Sequence, residues 1–350
     1  FSFYVRVPPT LNIQHSGTCN IELILFQATD LNGNQLSTYA WDYLGGIVDT
    51  DSIGSHMFNQ AGLNQIALVA QNTFGCADTI QYTFNVSAAP SSIFTINNSC
   101  EQTIINPLYA SIANDSTGIQ SVLWNFGNGS NSATFNTPCF YANPGNYSVS
   151  LICYAGNGCT DTSTQEVIIH PMPELNWNLS PACKDNPTEF SSTSTITSGS
   201  IDSTFWLVNL QYPFTGIEGQ FTFSTLGIQF LTLSAVSNMG CQADTLIHVN
   251  VNPGLSSSFV YEPAICVAGD ELELNSTATG VNQINWIVNG TSYLDTNAIN
   301  YTIPDSLVGE LISIYSITSN PYGCMDTTIT LIPVNEAILD IGVKQVYLGS

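Results

Sequence analysis

Eight of the ten cysteines fall into two interleaved series that share one period. Cys19, Cys100, Cys183 and Cys266 are spaced by 81, 83 and 83 residues, and Cys76, Cys159, Cys241 and Cys324 by 83, 82 and 83. A tryptophan lies between each early cysteine and its late counterpart, at Trp41, Trp124, Trp206 and Trp286. The late cysteine always opens the same phrase: Gly75-Cys76-Ala77-Asp78-Thr79, Gly158-Cys159-Thr160-Asp161-Thr162, Gly240-Cys241-Gln242-Ala243-Asp244-Thr245 with one inserted residue, and Gly323-Cys324-Met325-Asp326-Thr327. Four copies in register restrict the chain to a tandem array whose units each bury their own core.

Within a unit the pattern is that of strands. Tyr147-Ser148-Val149-Ser150-Leu151 and Ile80-Gln81-Tyr82-Thr83-Phe84-Asn85-Val86 alternate apolar and polar residues, Gly, Asn and Pro break the segments, and no stretch has helical spacing. An aromatic followed four residues later by Gly (Phe58 and Gly62, Tyr141 and Gly145, Phe223 and Gly227) marks the turn into the second-last strand, and Tyr301 reaches Gly309 after a longer loop. Short strands with a Cys–Trp–Cys order resemble immunoglobulin domains, small two-sheet sandwiches with the Trp in the core. The fold class is therefore expected to be all-β, a tandem array of immunoglobulin-like β-sandwich domains of about 83 residues each, with Trp41, Trp124, Trp206 and Trp286 as core. The expected boundaries are 9–88, 89–171, 172–253 and 254–333. Residues 1–8 read as the last strand of a preceding repeat and 334–350 as the start of a following domain.

On that resemblance the cysteines read as one disulfide per domain: Cys19–Cys76, Cys100–Cys159, Cys183–Cys241 and Cys266–Cys324. Closing a loop of that size stabilises a domain by about 4 kcal/mol in the chain-entropy treatment. Cys139 and Cys153 flank the turn at Pro144-Gly145 and are expected to form a fifth bridge. A metal reading fails on spacing, because the chain has no Cys-x-x-Cys and only His15, His56, His170 and His248. Five bridges imply an oxidising, extracellular compartment.

The second unit carries Trp124-Asn125-Phe126-Gly127-Asn128-Gly129-Ser130 and then Asn143-Pro144-Gly145-Asn146-Tyr147. This resembles the polycystic-kidney-disease-type (PKD) domain, whose hallmark is a Trp-Asp-Phe-Gly-Asp-Gly phrase followed by a Pro-Gly-Thr-Tyr turn. The first unit keeps Trp41-Asp42-Tyr43 with Gly45-Gly46. The third, Trp206-Leu207-Val208-Asn209, and the fourth, Trp286-Ile287-Val288-Asn289-Gly290, depart from the phrase and keep only the Cys–Trp–Cys frame. The extra cysteine pair and the Gly-Cys-x-Asp-Thr phrase are similar to PKD-like repeats of large secreted proteins of Bacteroidota, including SprB-like gliding adhesins and other type IX secretion cargo. The resemblance implies a non-catalytic segment of a cell-surface filament or adhesin. The alternative it leaves open is a set of carbohydrate-binding accessory modules of a secreted polymer-degrading enzyme.

Composition excludes several partners. Against 26 acidic residues stand three basic ones, Arg6, Lys184 and Lys344, giving a formal charge of −23 although only 8% of residues are charged. Neither a nucleic-acid track nor a polybasic membrane anchor can be built without clustered Lys or Arg. The longest apolar runs, such as Ile66–Ala70, are far short of the roughly 20 residues a membrane helix needs. The expected partners are neighbouring domains of the same chain and a surface polysaccharide or host or substratum ligand.

No residue constellation signals catalysis, since every Cys is assigned to a bridge and none of the four His recurs between units. The expectation is no enzyme activity and no cofactor. The recurrent acids Asp78, Asp161, Asp244 and Asp326 supply one carboxylate per unit. They read as turn caps, with calcium at the junctions as the weaker alternative. Ten of the 15 Asp residues precede Ser or Thr, and seven of these acceptors are followed by Ile, Leu or Thr: Ser52, Thr79, Ser116, Ser203, Thr245, Ser306 and Thr327. That pattern is similar to the O-glycosylation acceptor of Bacteroidota, and turn chemistry explains it equally well.

Overall fold

The structure, a computed structural model, describes residues 5–43, 46 and 48–336. Among the described residues the regular elements are strands and one 3-10 turn, Asp305–Leu307. The chain divides into two compact units, Phe1–Pro171 and Met172–Ser350.

In the first unit, one sandwich faces the sheet Leu11–Ser16, Leu23–Asp30 and Ile53–Met57 against a second sheet. That sheet is ordered Val48–Asp49, Leu36–Asp42, Gly62–Asn72, Ala77–Val86. Leu23–Asp30 alternates strictly between exposed and buried positions, the period of two that puts Ile24, Phe26 and Ala28 inside. Trp41 fills the centre with no exposure and donates its indole N–H to the Asp51 carbonyl at 3.0 Å. Gly54 lies directly across from it. A Cβ there would stand 2.8 Å from the indole and 2.5 Å from the Tyr43 hydroxyl, so the strand opposite the Trp needs a residue without a side chain. The second sandwich has the five-stranded sheet Asn131–Ser132, Ile119–Asn125, Gly145–Ala155, Thr160–His170, Ser99–Cys100, faced by the short pairs Ile104–Ile105 with Cys139–Phe140 and Phe94–Thr95 with Leu108–Tyr109. Trp124 is fully buried, and its indole reaches the Thr134 carbonyl, again ten residues ahead.

The second unit repeats the plan. Its first sandwich pairs Trp177–Leu179, Pro187–Ser192 and Glu218–Thr222 in one sheet, with Tyr212–Thr215, Ile201–Val208, Gly227–Ser237 and Gln242–Val251 in the other. Its second pairs Phe259–Glu262, Glu271–Ser276 and Ala298–Thr302 against the sheet Cys266–Val267, Met325–Asn335, Leu311–Ser319, Gln283–Val288, Thr291–Tyr293. Trp206 and Trp286 are buried in the two cores. The Trp286 indole donates to Thr296, ten residues on, whereas that of Trp206 has no partner. In this repeat the position ten residues ahead of the Trp is Gly216, just beyond a hairpin that pairs Trp206 with Phe214. The final strand of the fourth repeat runs through Asn335, two residues past the boundary expected from sequence. Residues 5–8 are not in a strand, and the remainder of both terminal expectations, 1–4 and 337–350, lies outside the described residues.

The cysteines correct the sequence reading. Every early cysteine stands in parallel register with the end of its own repeat's last strand: Cys19 with Ser87, Cys100 with His170, Cys183 with Asn252 and Cys266 with Val334. Every late cysteine stands just before that strand begins, at Ala77, Thr160, Gln242 and Met325. A strand of 10 or 11 residues spans about 33–36 Å at roughly 3.3 Å per residue. The two cysteines of a sandwich are therefore at opposite poles, far beyond the roughly 7 Å limit between Cα atoms for a bridge. The expected pairs Cys19–Cys76, Cys100–Cys159, Cys183–Cys241 and Cys266–Cys324 are not formed. The bonds present are Cys19–Cys159 and Cys183–Cys324, each joining the early cysteine of one repeat to the late cysteine of the next. Cys100 and Cys241 are also disulfide-bonded. Cys139–Cys153 is not formed either, and both are free thiols in the core. Cys139 sits on the short Cys139–Phe140 strand beside Tyr141, while Cys153 comes from the opposing sheet and meets Tyr109.

Candidate functional site

The repeated feature with built chemistry is the junction between successive sandwiches within a unit. In the first unit Cys19, Ala89 and Cys159 form a small buried cluster of their own, separate from both sandwich cores. The linker peptide around Ala88 and Ala89 is satisfied by side chains from both sandwiches. Asn20 accepts the Ala89 N–H at 2.6 Å, Asn114 donates to the Ala89 carbonyl at 2.7 Å, and Asn157 donates to the Ala88 carbonyl at 2.7 Å. The same Asn157 uses its oxygen to accept the N–H of the bonded Cys159 at 2.9 Å and also donates to Asp115. Hydrogen bonding from Thr117, Asn157 and backbone amides holds the Asp115 carboxyl below the usual range against the opposing effect of desolvation, so it stays an anionic acceptor.

The second unit reaches the same result with different atoms. Asn320, 7% exposed, accepts the N–H groups of Tyr322 and Cys324, each at 3.0 Å, and donates to the carbonyl of the linker residue Pro253 at 3.1 Å. Asn186 donates across the junction to the Met325 carbonyl at 3.4 Å, and the Lys184 N–H pairs with Asn252 at 2.9 Å. Gly254 is required by close approach, because a Cβ there would stand 2.3 Å from the Lys184 carbonyl oxygen.

The loop that presents each early cysteine is also preformed. Two residues after Cys19, Cys100 and Cys183, the backbone enters the left-handed region at Ile21 (φ 64°), Gln102 (φ 59°) and Asp185 (φ 63°). This conformation is costly for Ile. It is held by an N–H to the carbonyl of the aromatic of the turn motif: Ile21 to Phe58 at 3.0 Å, Gln102 to Tyr141 at 2.8 Å and Asp185 to Phe223 at 2.8 Å. The aromatic–Gly motif read from the sequence thus anchors the half-cystine loop as well as turning the chain.

The other sequence candidates do not converge on a site. Ser52, Thr79, Ser116, Ser306 and Thr327 are exposed, and Ser203 and Thr245 are half-buried within strands. Asp161 and Asp326 reach beyond a local turn, although Asp326 also accepts the N–H of the next residue, Thr327, at 2.9 Å. They accept the N–H groups of Ser92 and Ser257 near the start of their own sandwich, at 2.7 and 2.6 Å, across 69 residues of chain. Asp244 takes its bonds from Ser234 and Gln242. Among the described residues no three His, Cys, Asp or Glu side chains gather as a metal set, and no helix is long and apolar enough to cross a membrane. His15 and His56 pack into the aromatic cluster of the first sandwich, with His56 stacked on Tyr43 at 4.7 Å. A groove on the third sandwich is lined by Asn178, Glu189, Phe190, Glu218 and Gln220, and Trp177, next to Asn178 on the same strand, is partly exposed.

The junction asparagines were missed in the sequence. Their signal was present, an Asn four residues before Cys76 and Cys324 and two before Cys159, but an Asn-rich chain hides it.

Residues 87–169 match the PKD domain family and coincide with the second sandwich. No curated protein matches the chain. Among solved structures, the chain is similar to the PKD1 domain of Vibrio anguillarum Epp, at 21% identity over 23% of this chain and 96% of that one, TM-score 0.20. It is also similar to the fibronectin(III)-like modules of Clostridium thermocellum CbhA, at 14% over 46% of this chain and 95% of that one, TM-score 0.27. A third similar structure is a Ca2+-stabilised ice-binding adhesin of an Antarctic bacterium, at 11% over 94% of this chain and 99% of that one, TM-score 0.25.

Proposed function

We propose that this chain is a non-catalytic, extracellular segment of tandem PKD-like sandwiches that acts as a tension-bearing tether. The observation that carries the reading is the crossing of the junction by Cys19–Cys159 and Cys183–Cys324, with sequence separations of 140 and 141. A pull applied along the chain enters near Cys19, crosses the disulfide to Cys159 and leaves along the last strand of the second sandwich. The residues between the two cysteines are bypassed and cannot be drawn out, whatever happens to their cores. A bridge within one sandwich would protect only that sandwich and would leave the linker as the weak point. The two bonds, and the bonded Cys100 and Cys241, fit an oxidising extracellular compartment.

Stretching single molecules under oxidising and reducing conditions tests the reading. Each staple hides 140 or 141 residues, about 480 Å of contour at roughly 3.4 Å per residue. Reductant is expected to add that length per staple. Equal contour lengths with and without reductant would overturn the tether.

The finer reading places the segment in a giant surface filament or adhesin of the Bacteroidota type IX secretion class, of the gliding-adhesin kind, with a polysaccharide or substratum as its ligand. The exposed Ser52, Thr79, Ser116, Ser306 and Thr327 are its proposed glycan acceptors, and intact mass of the secreted protein would show attached sugars. A second reading, a carbohydrate-binding accessory module, is favoured by Trp177 beside the polar groove of the third sandwich. Glycan binding that is lost in Trp177→Ala would select it.

A further inference from the structure

We infer that Cys76 and Cys266 are the two complementary halves of the same interdomain staple, each built to bond a further repeat of this kind joined in tandem. The inference goes beyond the tether reading and rests on the junction geometry alone.

Cys76 occupies the late-cysteine position, equivalent to Cys159 and Cys324, and is a free thiol. Its surroundings are those of a finished junction with one sulfur missing. Asn72, 1% exposed, accepts the N–H groups of Phe74 and Cys76, each at 3.1 Å, and donates to the carbonyl of Val7 at 3.2 Å. Asn320 makes the same three bonds to Tyr322, bonded Cys324 and Pro253. The Asn72 side chain therefore already grips an incoming linker. In both bonded junctions the linker held at this position arrives directly from beside the partner cysteine, since Cys19 is in register with Ser87 and Cys183 with Asn252.

Cys266 occupies the early-cysteine position and is also free. It is in parallel register with Val334, as Cys19 and Cys183 are with Ser87 and Asn252. Gly269, three residues after Cys266 and at φ 87°, donates to the Ile303 carbonyl at 2.9 Å, so a positive-φ residue again closes the loop, one position later than Ile21 and Asp185 and onto Ile303 instead of the motif aromatic. Its sulfur lies 3.6 Å from the Pro263 carbonyl, and that of bonded Cys183 lies 3.7 Å from Pro181. Two unbonded thiols of complementary type, each in a half-site matching a bonded one, are not lone cysteines. Cys139 and Cys153 lack any such half-site and pack within one core.

Bond formation joins the two sulfurs with loss of both thiol protons and two electrons. The electrons pass to the disulfide of a thiol–disulfide oxidoreductase, which is reduced to a dithiol by way of a mixed disulfide.

The test is a tandem duplication of the full chain in which residues 1–335 run into residues 8–350, which places Asn335 where Val7 stands and preserves the linker register. Cys76→Ser in the first copy and Cys266→Ser in the second leave, of these two positions, only the junction pair, Cys266 of the first copy and Cys76 of the second, beside the core thiols Cys139 and Cys153 of each copy. After secretion into an oxidising compartment the protein is denatured in iodoacetamide without reductant and digested with pepsin. The expected result is a linked Cys266–Cys76 peptide and loss of alkylation at both positions. The converse duplication, with Cys266→Ser in the first copy and Cys76→Ser in the second, should leave Cys76 and Cys266 fully alkylated. Alkylation of the junction pair equal to that of the converse protein, or Cys76 bonded to Cys19 or Cys100, would overturn the inference. A linked junction peptide in a protein that shows no reductant-dependent extension would overturn the tether reading and leave this one standing.

Discussion

Cys183 is bonded to Cys324, in the next sandwich, while Cys241, late cysteine of its own repeat, stands beyond the far end of the strand Gln242–Val251. The staple therefore belongs to the junction, and each sandwich is held by its core. Pepsin digestion without reductant is expected to release Cys19–Cys159 and Cys183–Cys324 peptides and no Cys19–Cys76 or Cys266–Cys324 peptide. Cys159→Ser should cost at most about 5 kcal/mol, the chain-entropy figure for a loop of that length, read from denaturant midpoints.

Asn320→Ala strips partners from two N–H groups and from the Pro253 carbonyl at a buried position. Leaving such groups unpaired costs about 1–3 kcal/mol. The expected outcome is a lower melting temperature of the oxidised protein. Asn320→Asp, which keeps the acceptor and loses the donor, should fall between the two.

Asp161→Ala leaves the N–H of buried Ser92 without its acceptor. A loss of about 1–3 kcal/mol is expected, with Asp161→Asn close to the parent because its side-chain oxygen still accepts. If Asp161 served calcium, a chelator would lower the melting temperature of the parent protein and leave that of Asp161→Ala unchanged.

Gly54→Ala drives a methyl group into Trp41 and Tyr43. Overpacking of this kind costs about 1–3 kcal/mol. Calorimetry should show the first sandwich destabilised and the other three unchanged.

His56 is partly desolvated against Tyr43 and Phe58, which lowers its pKa below the ordinary 6.5. The unfolded chain then binds a proton more readily than the folded one. Its contribution is fully present above about pH 6.5 and is lost as pH falls through the folded value. The first sandwich should lose stability on acidification from pH 7 to 5, and His56→Phe should flatten that slope.

Much of this protein was legible in one dimension. The period of the cysteines, the four buried tryptophans and the alternation in segments such as Leu23–Asp30 all report local burial, which depends on neighbours close in sequence or on a strand's period of two. The aromatic–Gly motif was equally visible, though its second role, holding the Ile21, Gln102 and Asp185 loops, was not.

What the sequence determined by itself was the number of repeats, their strand character, the core residues and the absence of a cationic surface. Which cysteine bonds which was decided only by tertiary structure. Spacing along the chain says that Cys19 and Cys76 share a repeat. It does not say that the parallel pairing of the Cys19 segment with the end of the last strand sends them to opposite poles. Once the strands are laid down, the pole bearing Cys19 faces the pole of the next sandwich bearing Cys159, and a bond of fixed short reach can form only there.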